Sequence, residues 1–481
     1  MNVLVLNPQS QITKNVLRDL VYGCWCKGKR IGGMEVPPTS LLYIATIIKN
    51  NNHNVRLLDA AAEQKTPEDL KKIIQDYEVV IISTSTMSFI EDAYFLEELK
   101  NINKNLITIV FGSHPTFAPY HTLDKKSIDI IVRREPEFII RDLINALDKK
   151  DNSWKKVKGI GFREGNKKII NELYDFVDIN ELPIPDRTML PKDIDYFNPI
   201  IKRMPYTTMI TSRGCPARCT FCTVPNFYGS KIKVKTAEKV IEELEIIQGL
   251  GYKEVWFRDE TFTAYPARNR VIFEEMIKRK IDLTWICNAR VGILNEEMVL
   301  LMKKAGGHMI KFGVESGSQK ILDNIKKGIK ITETEKTFKM LNKLGMDTHA
   351  HVMLGAPGET KETIEQTINF IKKIDPTTAS FGICTPYMGT DLFNEVSKNH
   401  PEIKDGSACD LSKLHEKGFF NKYYTELTDK ELENSIKKAY RSFYFRPQYI
   451  FKWLPKIKNI DELKRLTLAG TNVFSFTVTK D

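Results

Sequence analysis

Short apolar runs recur along the first third of the chain, each followed by a longer stretch whose apolar positions return at helical spacing. Val3 to Leu6, Asn54 to Asp59, Val79 to Ser83, Ile107 to Phe111 and Ile128 to Val132 read as strands. Helices are expected between them over Pro37 to Lys49, Pro67 to Tyr77 and Glu91 to Asn101, with a last one running through Leu147. This alternation predicts an α/β fold: a doubly wound parallel sheet over residues 1–148. Ligands of such sheets lie beyond the strand carboxyl ends. Those ends carry Asn7-Pro8, Ser83-Thr84-Ser85-Thr86, Gly112-Ser113-His114-Pro115 and the turn that contains Glu135 and Glu137. Taken alone, they predict a nucleotide-like ligand.

A hairpin over 159–172 and a proline-rich extended segment ending in Leu182-Pro-Ile-Pro-Asp-Arg187 and Leu190-Pro191 make 149–200 a linker. A second alternating series follows over 201–392. Its strands begin at Thr207 to Ser212 and continue at Glu254 to Phe257, Leu283 to Cys287, Met309 to Val314, Ala350 to Leu354 and Ser380 to Cys384. Six β/α units predict a partial TIM-type barrel with its active site at the strand carboxyl ends. Cys287 and Cys384 lie inside apolar strands and read as small buried hydrophobes. His349, near the start of its strand, reads as a packed strand residue. From 393 to 481 the pattern is helical, and the Phe443-Tyr-Phe-Arg-Pro447 cluster is placed to cap the barrel.

Composition narrows the classes. At 481 residues the chain is long enough for two or three domains. No run reaches the roughly 18 apolar residues of a membrane span, and the start lacks signal-peptide character, so a cytoplasmic protein is expected. Eight cysteines do not make a secreted disulfide framework. The net charge of +11 comes from lysines spread over many helices rather than clustered with aromatics, which argues against a nucleic-acid partner.

Thr211-Ser-Arg-Gly-Cys215-Pro-Ala-Arg-Cys219-Thr-Phe221-Cys222 changes the picture most. Three thiolates at C-x-x-x-C-x-x-C spacing suit three corners of a four-iron four-sulfur cluster. Zinc fits poorly, because no second C-x-x-C follows to complete four ligands. A fourth iron without cysteine has room to chelate an amino and a carboxylate group. Cys24 and Cys26 read as part of a loop covering the edge of the N-terminal ligand site.

The cysteine loop, with Phe221 before its third cysteine, resembles the signature of the radical S-adenosylmethionine superfamily. The Thr/Ser strand end, the Gly-Ser-His-Pro stretch and the Arg-Glu-Pro-Glu137 turn resemble the cobalamin-binding domain of one branch of that superfamily. The linker string and Phe-Tyr-Phe-Arg-Pro447 resemble the same branch. The resemblance implies three cofactors: a 4Fe-4S cluster on Cys215, Cys219 and Cys222, S-adenosyl-L-methionine, and cobalamin. It assigns S-adenosylmethionine contacts to Phe221, Asp259, Glu260, Asn288, Arg290, Glu315, Ser316 and Gly355. It assigns cobalamin contacts to Asn7, Pro8, Ser83, Thr84, Ser85, Thr86, Gly112, Ser113, His114, Glu135 and Glu137. The Asp-x-His-x-x-Gly motif that supplies a cobalt-ligating histidine elsewhere is absent, so no histidine is expected on cobalt.

The activity implied is methyl transfer to an unactivated carbon of a small-molecule, lipid or peptide substrate, with flavodoxin or ferredoxin as electron donor. Radical cyclisation or rearrangement on the same fold, and a non-catalytic cobalamin carrier or sensor, remain the alternatives. No residue is singled out as catalytic.

Overall fold

The computed structural model describes residues 1–10, 18, 34–194, 196–408, 421–453, 457 and 460–478. Cys24 and Cys26, with the loop read around them, lie outside the described residues. Strands β1 (Asn2–Asn7), β2 (Asn54–Asp59), β3 (Val79–Ser83), β4 (Ile107–Phe111) and β5 (Ile130–Val132) are parallel, in the order β2-β1-β3-β4-β5. Alternate residues feed two cores. Val3, Val5, Val79, Ile81 and Ile109 pack with Leu41, Ile44, Ile140 and Leu143 of two helices; Leu4, Leu6, Val80, Ile82 and Val110 pack with Phe89, Leu96 and Leu99 of another. Burial on both faces is why these strands read as continuous apolar runs. Each such side chain contributes about 1.5–3 kcal/mol by leaving water.

The structure departs from the sequence reading in three places. The helix expected from Pro67 to Tyr77 is one turn, Pro67–Leu70, closed by a Thr66/Asp69 capping box and followed by a 3-10 turn at Ile74–Asp76. Only Leu70 and Ile74 are buried over this stretch, too small an apolar face to hold a longer helix. The hairpin read within the linker, β6 (Ile160–Glu164) and β7 (Lys167–Ile170), pairs antiparallel with β5 and extends the first sheet to seven strands. The strand expected over Thr207 to Ser212 stops after β8 (Tyr206–Met209), because Thr211 turns its backbone N–H and Oγ1 to the Asp259 carboxylate at 2.6 and 2.5 Å.

Beyond that break, β9 (Ser212–Arg213) and β10 (Lys233–Val234) form a short antiparallel ladder that brackets the cysteine loop. The second sheet is β15-β14-β13-β12-β11-β8, all parallel, with β11 (Glu254–Phe257), β12 (Thr284–Ala289), β13 (Gly307–Glu315), β14 (Asp347–Leu354) and β15 (Thr378–Ile383). Register stacks the inward residues in layers: Asn288 beside Lys311 beside His349 beside Thr378, then Gly313 beside His351 beside Ser380. Below them Tyr206, Trp256, Ile286 and Met309 form an apolar floor.

Strand β15 is an open edge, and three tyrosines cover it. Tyr444 Oη accepts from Ala379 N–H at 3.0 Å and donates to Ala379 O at 2.6 Å. Tyr440 Oη accepts from Phe381 N–H at 3.3 Å, and Tyr449 Oη donates to Thr377 O at 2.9 Å. These bonds satisfy backbone groups that an open edge leaves unpaired. The helix Ile460–Val478 then spans the gap toward β8, where Arg465 donates to Ile201 O and, at 3.4 Å, to Lys202 O.

A buried network ties the linker and the first sheet to the barrel. Glu243 accepts from Arg187 at 2.7 Å and Lys235 at 2.8 Å, and Lys235 donates to Tyr43 Oη at 3.0 Å. Burial pushes the Glu243 carboxyl up, but the Lys235 and Arg187 cations outweigh it and hold the group below the ordinary carboxylate range. Glu243→Ala leaves two buried cations without their shared anion and should cost about 3–5 kcal/mol. Because the folded-state pKa is depressed, this stabilisation is complete above the unfolded carboxylate value and lost as pH falls through the folded one. In urea titrations, the gap between wild type and Glu243→Gln should therefore narrow in acid; a gap independent of pH would rule out the ionic account.

Candidate active site

Gly214 opens the cysteine loop at φ +94°, where a side chain would strike Lys231 O. From there the loop is tied down at its centre. Thr220 N–H donates to Ile325 O at 3.0 Å, Leu392 N–H donates to Thr220 O at 2.9 Å, and Cys222 N–H donates to Cys219 O at 3.1 Å. Cys215, Cys219 and Cys222 are free thiols, and all three line one cavity of about 870 Å³ that descends into the barrel. Among the described residues, no three His, Cys, Asp or Glu side chains converge on one ion-sized point.

Phe221, Glu260, Asn288, Arg290 and Glu315 line the same cavity. Lys327 Nζ bonds Glu315 Oε1 at 2.6 Å and lies 5.8 Å over the Phe221 ring. Glu315 itself sits at φ +63°, a left-handed conformation rare outside glycine. Asp259, Ser316 and Gly355 stand behind the wall. Asp259 is fully buried and accepts from Thr211 and Ser212, which fixes the entry to the cysteine loop. Ser316 bonds Thr367 at 3.0 Å, while Gly355 receives Asn421 Nδ2 on its carbonyl at 2.6 Å.

At the first sheet, the predicted residues gather beyond the carboxyl ends of β1, β3 and β4. Asn7 donates to Asp59 at 2.8 Å, and Pro8 O accepts from Arg18 at 2.7 Å. Ser83 donates to Arg18 O, Thr84 to Asp92, and Ser85 meets Ser88. Gly112 is needed where it is, since a Cβ would lie 2.3 Å from Thr84 O. His114 is wholly buried, stacked on Phe89 at 4.0 Å, and neither ring nitrogen has a partner among the described residues.

The two regions meet at Arg213. Its guanidinium donates to Glu135 at 3.1 Å and to Glu137, and Lys233 reaches Glu135 at 2.7 Å. Burial opposes the Arg213 charge, but Glu137, Tyr228 and Glu135 outweigh it and hold its pKa well above the ordinary value. Glu135 and Glu137 thus join the first sheet to the ladder that carries the cysteine loop. Met87 and Tyr387 touch across the same junction, Oη to Sδ at 4.0 Å.

Sequence reading missed Arg213, Tyr228, Lys311, Lys327 and His351. His349, read as a packed strand residue, is buried but also lines the cavity, as does His351. The available signal was period-two spacing: Lys311, Gly313 and Glu315 on one strand and His349, His351 and Met353 on the next share the lumen face. Cys287 and Cys384 are fully buried, and burial pushes both thiols up.

Burial, with the neighbouring Asp259 charge, raises the Glu260 carboxyl to about 8 despite backbone hydrogen bonds and Arg213. A raised folded-state pKa makes ionisation cost stability as pH climbs from the unfolded value toward 8. The ligand-free protein should show an infrared carbonyl band of a protonated acid that vanishes with a midpoint near 8 and is missing from Glu260→Gln. Persistence of the whole protonated-acid signal in that variant would refute the assignment.

The family model described as Radical SAM superfamily matches residues 209–371, and the one described as B12 binding domain matches 32–144. An uncharacterized methyltransferase of Pyrococcus horikoshii is 34% identical over 437 residues, covering 88% of this chain and 91% of its own length. The anaerobic magnesium-protoporphyrin IX monomethyl ester cyclase of Rubrivivax gelatinosus is 27% identical, over 76% of this chain and 68% of its own. The fold matches the cobalamin-dependent S-adenosylmethionine radical enzyme OxsB with aqua-cobalamin and S-adenosylmethionine bound, at a TM-score of 0.70 and 17% identity, over 98% of this chain and 72% of that one. It also matches the radical S-adenosylmethionine methyltransferase TsrM of Kitasatospora setae, at a TM-score of 0.68 and 17% identity, over 83% and 78% of the two chains. With both domains matched, and a relative this similar along nearly its whole length, the chain belongs to the cobalamin-dependent radical S-adenosylmethionine enzymes, whose cofactors are a 4Fe-4S cluster, S-adenosylmethionine and cobalamin.

Proposed function

We propose that the protein is a methyltransferase acting at an unactivated carbon. One observation carries the reading: Arg213 ties Glu135 and Glu137, at the ligand end of the first sheet, to the ladder that brackets the three-cysteine loop, and so joins the two regions assigned to the cofactors. The donor sets suit the cofactors. Three free thiols face the cavity beside carboxylate, amide and guanidinium groups. At the opposite strand ends the hydroxyls of Thr86 and Ser113 have no partner among the described residues, and the His114 nitrogens are orphaned.

In this reading Cys215, Cys219 and Cys222 hold the cluster. Phe221, Glu260, Asn288, Arg290 and Glu315 hold S-adenosylmethionine, positioned from behind by Asp259, Ser316 and Gly355. Asn7, Pro8, Ser83 to Thr86 and Gly112 to His114 bear the cobalamin, with Glu135 and Glu137 setting its distance from the cluster. Residues 1–148 form the cobalamin domain, 201–392 the barrel, and 393–481 the wall that closes it. The bound cofactors supply the electron, the radical and the methyl group; the protein excludes water and fixes their approach. No helix among the described residues is long and apolar enough to cross a membrane. Free thiols suit a cytoplasmic enzyme supplied with electrons by flavodoxin or ferredoxin.

Anaerobic reconstitution should load about four irons per chain, and the triple alanine variant of Cys215, Cys219 and Cys222 should hold none. Full iron retention in that variant would overturn the ligand assignment. With substrate in hand, S-adenosylhomocysteine and 5′-deoxyadenosine should form in near-equal amounts, and the product should carry a deuterated methyl from labelled donor. Deoxyadenosine without label in the product would overturn the methyltransferase reading in favour of radical cyclisation or rearrangement.

A further inference from the structure

The cavity that starts at the cysteines continues past the layer of Glu315 and Arg290. On β14 and β15, His351 lies beside Ser380 and His349 beside Thr378, and all four line the lumen. Thr378 Oγ1 is 2.7 Å from His349 Nδ1, Ser380 Oγ is 3.2 Å from His349 Nε2, and Ser380 Oγ is 2.8 Å from His351 Nδ1. Burial, with the Lys311 charge near both rings, keeps both imidazoles neutral, well below the ordinary histidine value. Each ring therefore has one donor and one acceptor nitrogen. The hydroxyls between them let the chain of bonds run in either direction, so the last nitrogen, His351 Nε2, can present a lone pair or a hydrogen. Among the described residues it has no partner.

The same cavity reaches the C-terminal helices that cover the β15 edge. Its wall there is Phe381, Tyr440, Tyr444, Tyr449, Trp453 and Val473. The three tyrosine hydroxyls are spent on the β15 edge, so the rings offer the cavity only apolar surface. Along helix Ile460–Val478, the lining residues Leu463, Leu466, Thr467, Ala469, Gly470 and Val473 carry no charge. A volume of about 870 Å³ lies near the top of the ~300–1,000 Å³ range of small-molecule sites, and so has room for a second molecule beside a nucleoside cofactor.

We propose that the substrate is an elongated, mostly hydrocarbon molecule with a neutral oxygen function, a hydroxyl or carbonyl, hydrogen-bonded to His351 Nε2 while its apolar body lies between β15 and helix Ile460–Val478. The inference rests on the methyltransferase reading for the reaction, but the substrate class comes from the cavity wall.

The probes are 1-butanol, 1-hexanol and 1-octanol, titrated calorimetrically into the full chain carrying its cluster, S-adenosylmethionine and cobalamin. Affinity should rise about 4-fold per methylene, on the order of 200-fold from butanol to octanol. His351→Phe should weaken every member about 5-fold and leave the chain-length slope unchanged, which a merely structural loss would not do. Val473→Arg should flatten the slope; if it does not fold, Val473→Phe should weaken octanol more than butanol. A flat series in the wild type, a slope that survives both Val473 variants, or a His351→Phe protein that binds all three probes as the wild type does would overturn the proposal. Reductive cleavage of S-adenosylmethionine to 5′-deoxyadenosine, started by adding dithionite to the same wild-type preparations, reports on the reaction separately. A steep series without cleavage would reject that reading and keep this one, and cleavage with a flat series would do the reverse.

Discussion

A buried arginine between two buried glutamates sets the geometry on which the active chamber depends. Taking Arg213, Glu135 and Glu137 out of water is costly, and the cost is offset only if all three meet with good geometry. The pair of domains is thereby held in one relative position, because any sliding would leave a charge buried alone. Arg213 belongs to the ladder that opens the cysteine loop, and the glutamates to the turn leaving β5. The contact therefore fixes the first sheet's ligand-facing edge relative to the cysteines directly, with no long linker between.

The second constraint is an unclosed barrel. Six strands leave two edges, and the C-terminal helices satisfy one with tyrosine hydroxyls and bridge to the segment before the other through Arg465. This solution blocks edge pairing and at the same time walls one side of the cavity, since Tyr440, Tyr444, Tyr449 and residues of the bridging helix line it together. Closure and the shape of the cavity are one consequence of the same residues.

Inside the chamber, burial decides protonation. Glu260 is held up and the two imidazoles are held neutral, whereas Glu315 is paired with Lys327. Glu315 therefore faces a cation, and Arg290 is held by the Lys327 and Gly328 carbonyls. Arg258 and Lys311 lie over the Trp256 ring, at 4.7 and 4.1 Å from its centre.

The sequence by itself determined the parallel strands of both sheets, the cysteine loop and the polar strand ends. Each is local: apolar runs buried on two faces, helical periodicity between them, and three thiols within eight residues. It also placed Phe443 to Pro447 as a cap. Tertiary structure decided what those strand ends do. Asp259 and Glu260 were both read as S-adenosylmethionine contacts, yet in the turn that follows β11 Asp259 secures the entry to the cysteine loop while Glu260 lines the cavity. Arg213, Glu135 and Glu137 are far apart in the chain, so no local pattern announces their contact. The His349–Ser380–His351 chain depends on the register of two strands joined by a long helix, and the apolar wall of the cavity on where the last helix crosses the gap. Such pairings arise from packing at long sequence separation, for which a single sequence carries no short-range signal.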